Sequence, residues 1–361
     1  MTESRNLTEP LNLREYEQCA REILLQPIYD FYVGGAGDEI TVRENERAWA
    51  GLRLRPRVLV DVSACETSTT ILGQPAAMPL LTAPCALNAL AHPDGELAVA
   101  RATAEAGVVQ VVSTLSSYSV EEIAAASSGI RWLQLYCYRD RGLTKALVER
   151  AEAAGFGALC VTVDVPMPGL RERDIRNGFK VPPHIRAANF EQAIPDTAEG
   201  SALLAYVADQ FDPSLTWDAL DWLRSITRLP IVVKGILTAE DALLAVQHGV
   251  VGIVVSNHGG RQLDSVVSTA EALPEIVAVA ENAEVYVDGG IRRGTDILKA
   301  LALGARAVLI GRPYLWALAV SGEAGVAHVL QHLRDDLKLS MALAGCPKLS
   351  DIDSQLIRPM K

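Results

Sequence analysis

Residues 249–264 read GVVGIVVSNHGGRQLD. An unbroken run of Val, Ile and Gly stops abruptly in Ser, Asn, His and two glycines, with an arginine and an aspartate just beyond. Strict apolar–polar alternation would mark a strand with one wet face. A continuous apolar run marks a strand buried on both faces, as in parallel sheets. Asn and Gly end strands readily, so the polar tail has an ordinary explanation. The alternative is that the end of this strand carries chemistry.

Seven further runs have the same character: PLLTAP (79–84), GVVQVVST (107–114), IRWLQLY (130–136), GALCVTVD (157–164), PIVVKG (230–235), AEVYVDGG (283–290) and ARAVLIGRP (305–313). Helical stretches lie between them. SVEEIAAAS carries a capping box from Ser119 to Glu122, RGLTKALVERAEAAG stops at Gly155, TAEDALLAVQHG at Gly249, and GTDILKALALG at Gly304. Eight strand-then-helix units with right-handed crossovers predict an α/β (β/α)8 TIM barrel, with a doubly wound open sheet as the alternative. Residues 1–78 read as an N-terminal helical extension, with YDFYVGGAGDE (29–39) a helix end running into a glycine turn. Residues 165–215, rich in Pro, Arg and Asn and weakly periodic, read as a long lid insertion after the fourth strand. The expected organisation is one domain over 1–361, with the barrel at 79–361.

Composition limits the partners. The net charge of −11 with scattered basic residues argues against nucleic acid or an anionic membrane. The N-terminal stretch is too polar for a signal peptide, the C-terminal RPMK is no peroxisomal tripeptide, and no apolar run reaches 18 residues. A cytoplasmic protein is expected. Six cysteines without a CxxC pair are expected to be buried thiols rather than disulfides or zinc ligands.

A barrel places its active site at the C-terminal strand ends, and those ends are where the polar residues gather. In strand order they carry Ala83-Pro84-Cys85; Ser113-Thr114 with Ser116 beyond; Gln134 and Tyr136; Thr162 and Asp164; Lys234; Ser256, Asn257, His258 and Arg261; Asp288-Gly289-Gly290 with Arg292; and Gly311-Arg312. Glycines and arginines after the last two strands suit a phosphate, which barrels commonly hold there; two ordinary βα turns are the plain reading. Lys234 could form a Schiff base, pair with a phosphate, set positive charge beside an electron-accepting ring, or serve as a salt-bridged structural lysine. His258 with Asp164 suits a general base oriented by a carboxylate, and Arg261 nearby suits an anionic substrate. Together these describe proton abstraction from a carboxylate-bearing molecule beside a phosphorylated cofactor.

SNHGGRQLD, LPIVVKGILTAEDA, VDGGIRRGTDILKALALGA, IGRP, LQLY and VTVDVP, with LRPRVLVDV and AHPDGELA nearer the start, make the chain resemble the FMN-dependent α-hydroxy acid oxidase family from about Leu11 onward. The resemblance implies FMN as cofactor and a 2-hydroxy acid as substrate, oxidised to the 2-oxo acid with O2 or a quinone as acceptor, in a homotetramer. It implies His258 as the base and Asp164 as its orienting carboxylate. Arg261 and Arg171 would hold the substrate carboxylate, with Tyr136 near its hydroxyl. Lys234 would stand at the flavin N1/O2 edge. Gln134, Thr162, Ser116, Ser256 and the segment Ala83-Pro84-Cys85 would meet the ring. Asp288, Gly289, Gly290, Arg292, Gly311 and Arg312 would meet the ribityl phosphate. Gly259 and Gly260 are expected to leave room beside the flavin and let the loop turn.

Two departures bear on specificity. Phe31 stands where short-chain members carry a tyrosine, which removes a hydrogen bond to a charged group, about 1.5–3 kcal/mol. The loop SSYSVEE is shortened, with Tyr118 in place of a tryptophan that crowds the pocket, and Met167 and Leu170 make the lid more apolar. Larger aromatic or medium-chain (S)-2-hydroxy acids are the expected substrates. The rival enzymes with phosphate-binding barrel ends, type 2 isopentenyl diphosphate isomerase and IMP dehydrogenase, do not predict HGGRQLD paired with Arg171. A non-catalytic flavin-binding protein would have no need of a proton acceptor.

Overall fold

Strands sandwiched between a barrel interior and a helical shell need apolar residues on both faces, and the eight runs supply them. The computed structural model describes residues 10–190 and 210–359. In it the runs form β1 (Leu80–Thr82), β2 (Val109–Val112), β3 (Arg131–Leu135), β4 (Ala158–Thr162), β5 (Ile231–Ile236), β6 (Gly252–Val255), β7 (Glu284–Val287) and β8 (Ala307–Ile310). All pair in parallel and in sequence order, and β8 closes back on β1 through Leu309 opposite Leu81. The fold is a (β/α)8 barrel, which excludes the open sheet.

One phase of each strand faces inward. Val109, Val111, Trp132, Cys160, Val232, Val254, Tyr286 and Leu309 pack together as the barrel's own core, with Trp132 and Tyr286 edge to face at 5.5 Å. Their neighbours in sequence, such as Leu133, Val161, Val233 and Ile253, belong to the outer core beneath the helices. Side chains alternate with period two along a strand. Two residues beyond the last apolar inward position therefore come Ser113, Gln134, Thr162, Lys234, Ser256 and Asp288, all buried. These six polar groups form one layer across the C-terminal end of the barrel.

Capping residues start the helices where the sequence places them. A capping box at Ser119 opens Val120–Ala126, and Thr238 caps Ala239–Gln247. The last helical stretch, Arg312–Ala344, breaks at Ser321–Gly322.

The first 78 residues hold more than helices and turns. After α1 (Leu13–Ile23), α2 (Gln26–Val33) and α3 (Ile40–Gly51), the strand Leu52–Leu54 pairs antiparallel with Ile357–Pro359. The hairpin Thr69–Ile71/Gln74–Ala76 plugs the N-terminal end of the barrel with Ile71 and Ala76. Arg306 Nε donates to the Thr70 carbonyl at 2.8 Å, tying that plug to the start of β8. Strands of three residues carry too little periodicity to be read, and one of them pairs with a segment at the far end of the chain.

The extension is locked onto the loop after β6. Asp264 accepts the N–H groups of Ile40 (3.2 Å) and Thr41 (2.8 Å), capping α3, and Asn45 and Asn257 exchange side-chain hydrogen bonds at 2.7 and 2.8 Å. At Gly260, φ is +74° and a Cβ would lie 2.7 Å from the Val42 nitrogen. That glycine is required by the approach of α3, not by a ligand. Of the lid expected at 165–215, residues 191–209 lie outside the described residues; the described part contains the short helix Glu172–Arg176.

Candidate active site

A cleft of about 260 Å³ opens over the polar layer at the C-terminal barrel end. β6 ends in a tight turn in which His258 adopts φ +57°, an uncommon conformation for a residue with a Cβ. Its backbone N–H donates to Ser256 Oγ at 3.0 Å, and the turn aims the ring at the end of β4. There Asp164 Oδ1 meets His258 Nδ1 at 2.9 Å, which leaves Nε2 as the ring atom facing the cleft. Asp164 reaches this position because residue 235 is a glycine: φ is +114°, and a Cβ would lie 2.6 Å from the Asp164 side chain. Burial lowers the imidazole pKa below its ordinary value, against the opposing pull of the Asp164 carboxylate. Burial works to raise the Asp164 carboxyl, but the His258 ring and the Lys234 ammonium beside it outweigh that and hold it below its ordinary value. At neutral pH the pair is an ionised carboxylate beside a neutral imidazole, poised to accept a proton.

Lys234 is buried and charged. Its Nζ lies 2.9 Å from Ser256 Oγ and 3.4 Å from Asp288 Oδ2, and Ser256 in turn donates to Asp288 Oδ2 at 2.9 Å. Burial would lower the ammonium pKa; Asp288 and Asp164 overcome that and raise it. Ser256 thus accepts from Lys234 and from the His258 amide while donating to Asp288, which uses all of its hydrogen-bonding capacity. It sits beneath the cleft as the junction of His258 and Lys234, rather than on the cleft wall.

Four arginines come close to the cleft. Arg261 donates to the Gly34 carbonyl at 2.6 Å and stacks over the Phe31 ring at 5.6 Å. Arg312, in the first turn of the last helix, donates to the carbonyls of Tyr32 (3.2 Å) and Gly259 (2.9 Å). The C-terminal carbonyls of α2 therefore position both guanidinium groups. Burial and the nearby charges of Arg171 and Arg312 push Arg261 well below its ordinary pKa, and burial with Arg292 brings Arg312 down to about 10. Arg171 presents a buried Nε with no partner. Crowded cations with unmet donors describe a site built for anions. Arg292 is the exception, held by Glu46 at 3.0 Å.

The remaining wall comes from Gln134, whose Nε2 donates to Thr162 Oγ1 at 3.1 Å and whose Oε1 accepts from Ser113 Oγ at 3.3 Å. Tyr136 lines the cleft with its hydroxyl pKa pushed up to about 12, by burial first and by Asp164 second. Ala83, Pro84 and Cys85 line the side near β1. The Asp288 carbonyl accepts from Thr269 Oγ1 (2.5 Å) and the Gly289 carbonyl from Trp49 Nε1 (2.8 Å). In trans peptides this turns the N–H groups of Gly289 and Gly290 away from Thr269 and Trp49, and both glycines line the cleft. Asp288 Oδ1 is buried without a partner.

These features fit FMN. An unpartnered Asp288 acceptor suits a ribityl hydroxyl. Gly289 and Gly290 amides, Gly311, Arg312 and a helix N-terminus suit the phosphate. The buried Lys234 ammonium suits an electron-rich ring edge. Arg292, already paired with Glu46, is left a secondary part.

Besides Ser256, three expected contacts lie elsewhere. Ser116 is fully buried behind the cleft, donating to the Tyr118 carbonyl at 2.6 Å and accepting from Asn189 Nδ2 at 3.0 Å. Ser113 lines the cleft in its place, being in phase with Val109 and Val111. Tyr118 turns its hydroxyl away to the Pro93 carbonyl at 2.8 Å, and Leu115 is the apolar residue of that loop in the cleft. Met167 is 70% exposed: Gln262 Nε2 holds the carbonyls of Asp164 (3.0 Å) and Met167 (2.9 Å), which turns the methionine outward and leaves Val165 and Pro168 as lining. Phe31 does line the cleft, stacked on Phe179 at 4.6 Å. Phe211, Gly34 and Gly235 were not legible as site residues. Only the period-two phase, for Ser113, offered a signal.

Comparison with known proteins shows the family. Residues 20–359 match the FMN-dependent dehydrogenase family. An L-lactate oxidase of Nostoc sp. is 54% identical over 360 residues, 97% of this chain and 99% of that protein. Glycolate oxidase 3 of Oryza sativa subsp. indica is 52% identical over 94% of each chain. Among solved structures, a mandelate oxidase superposes with a TM-score of 0.90 at 46% identity, covering 97% of this chain and 98% of that one. The chain belongs to the FMN-dependent dehydrogenase family and is an FMN flavoprotein oxidoreductase.

Proposed function

We propose that this enzyme oxidises (S)-2-hydroxy acids to 2-oxo acids, with O2 as final acceptor and hydrogen peroxide as second product; a quinone would make it a dehydrogenase. The carrying observation is that a neutral histidine clamped to a buried carboxylate shares one cleft with Arg261 and Arg171. Those arginines take the substrate carboxylate, and Tyr136 stands by its hydroxyl. His258 Nε2 removes the proton, and Asp164 stabilises the imidazolium that forms. FMN supplies the two-electron acceptor. Lys234 contributes fixed positive charge beside it, Gln134 and Thr162 contribute polar contacts to its ring, and Asp288, Gly290 and Arg312 anchor its ribityl phosphate.

The apolar lining at Phe31, Leu115, Val165 and Phe211 supports a preference for aromatic or medium-chain acids over glycolate. The relatives' names span lactate, glycolate and mandelate, so a substrate panel decides. With glycolate, L-lactate, (S)-mandelate and (S)-2-hydroxyoctanoate, kcat/KM is expected to be highest for one of the last two, and peroxide to match turnover in air. A maximum at glycolate or L-lactate would overturn the size preference; no flavin bleaching with any acid would overturn the function.

Asp164 also sets a pH dependence. The free enzyme needs neutral His258, so the acid limb of kcat/KM falls below the ordinary imidazole value of 6.5. The carboxylate favours the imidazolium, so its removal in Asp164→Asn lowers the histidine pKa and moves the limb to still lower pH. A limb moving upward contradicts the pairing.

A cytoplasmic homotetramer is the assembly we favour. Among the described residues no helix is long and apolar enough to cross a membrane. Val58 and Leu59 are exposed beside the end of the last helix, where the Arg57 N–H meets the Ala344 carbonyl at 3.0 Å and Leu343 is also exposed. Light scattering giving four chain masses supports it, and a monomeric mass removes it.

A further inference from the structure

A second cavity, about 420 Å³, lies behind one wall of the cleft. Tyr136, Thr162, Val165 and Phe211 line both spaces. Val161 and Val163 face it, the phase opposite to the inward Cys160 and Thr162, so it lies outside the barrel between β4, β5 and the helix Asp218–Ile226. Its apolar lining is Leu215, Trp217, Ala219, Leu220 and Ile236 with the two valines. Its polar lining includes the carboxylates Asp212 and Asp241, and no lysine or arginine lines it among the described residues. The space is open on its outer side, as the cleft is, and shares a wall with it. The partition is slight. The Tyr136 and Phe211 rings meet at 4.6 Å, tilted by 39°, and the phenylalanine ring has no polar bond to hold it there.

We propose that this cavity is a subsite for the uncharged tail of the substrate, an alkyl or aryl group entering between Tyr136 and Phe211. The assignment rests on the reading of the cleft as a 2-hydroxy acid site. With the carboxylate on Arg261 and Arg171 and the reacting carbon between His258 and Tyr136, a longer tail runs along Val165 and Phe211. Continuity with the cleft makes the occupant part of the same molecule. Asp212 is already paired with Arg141 at 2.6 Å; the apolar lining and Asp241, with no lysine or arginine in the lining among the described residues, favour a neutral tail over a second carboxylate.

The test compares (S)-2-hydroxy acids of three to ten carbons on the FMN-loaded wild type, Ala219→Phe and Leu220→Ala. Each methylene that gains burial contributes roughly four-fold in kcat/KM. In the wild type kcat/KM is expected to rise with chain length up to about eight carbons. Ala219→Phe fills the subsite and is expected to lower the eight-carbon to three-carbon ratio at least ten-fold. Leu220→Ala enlarges it and moves the optimum to longer acids. Octanoate, as a competitive inhibitor, is expected to weaken ten-fold in Ala219→Phe while acetate changes less than two-fold, and 2-hydroxyoctanedioate to be at least ten-fold poorer than 2-hydroxyoctanoate. Ratios unchanged within two-fold in both folded, yellow variants, or a diacid as good as the monoacid, overturn the subsite. If the wild type oxidises none of the acids, the function itself fails, a different result.

Discussion

His258→Gln is expected to remain folded and yellow while its flavin is reduced by 2-hydroxy acid about 10²–10⁴-fold more slowly. The glutamine amide can still donate to Asp164 Oδ1, where Nδ1 now stands at 2.9 Å, so the buried carboxylate keeps a partner. The amide has no basic nitrogen for the substrate proton, so chemistry is lost while the cleft stays intact. Anaerobic stopped-flow reduction measures the loss, and flavin absorbance per chain verifies occupancy. Reduction within ten-fold of wild type would remove His258 from the role of base.

Lys234→Met is expected to cost about 3–5 kcal/mol of stability, because it leaves a carboxylate buried without its counter-charge. The ammonium stands 3.4 Å from Asp288 Oδ2, and both side chains are almost wholly buried. Ser256 alone then remains as donor to that oxygen. Urea unfolding at one fixed FMN concentration reads the change, since bound ligand adds its own stabilisation. The double variant Lys234→Met/Asp288→Asn removes the orphaned charge and is expected to recover part of the loss, with a coupling of about 1–3 kcal/mol. If the single variant unfolds like wild type, the ion pair is not a structural support and the lysine serves bound cofactor alone.

Much of this was legible along the chain because it is local. Continuous apolar runs mark strands buried on both sides, and capping residues such as Ser119 mark helix starts, since both depend on neighbours a few residues away. The gathering of His258, Asp164, Lys234 and Asp288 at strand ends follows once the runs are placed in a barrel. The errors fall where position depends on distant groups. Ser116 and Ser113 differ by three residues on one loop, and only the inward phase of Val109 and Val111 separates them. Met167 faces solvent because Gln262, 95 residues onward, grips its carbonyl. Gly260 reads as a loop residue making room for a ligand, whereas α3 occupies that room.

The order and type of residues determined the barrel, the polar layer at its mouth and the histidine proposed as the base. Those rest on periodicity and on the chemistry of side chains a strand must carry. Tertiary structure decided which arginines are held and by what. Arg261 and Arg312 are oriented by the carbonyls of Tyr32 and Gly34, more than 220 residues earlier in the chain. It also decided that Asp164 reaches His258 only past the bare backbone of Gly235. Such contacts have no local signature, because they arise when segments without sequence proximity are brought together by burial of the surfaces between them.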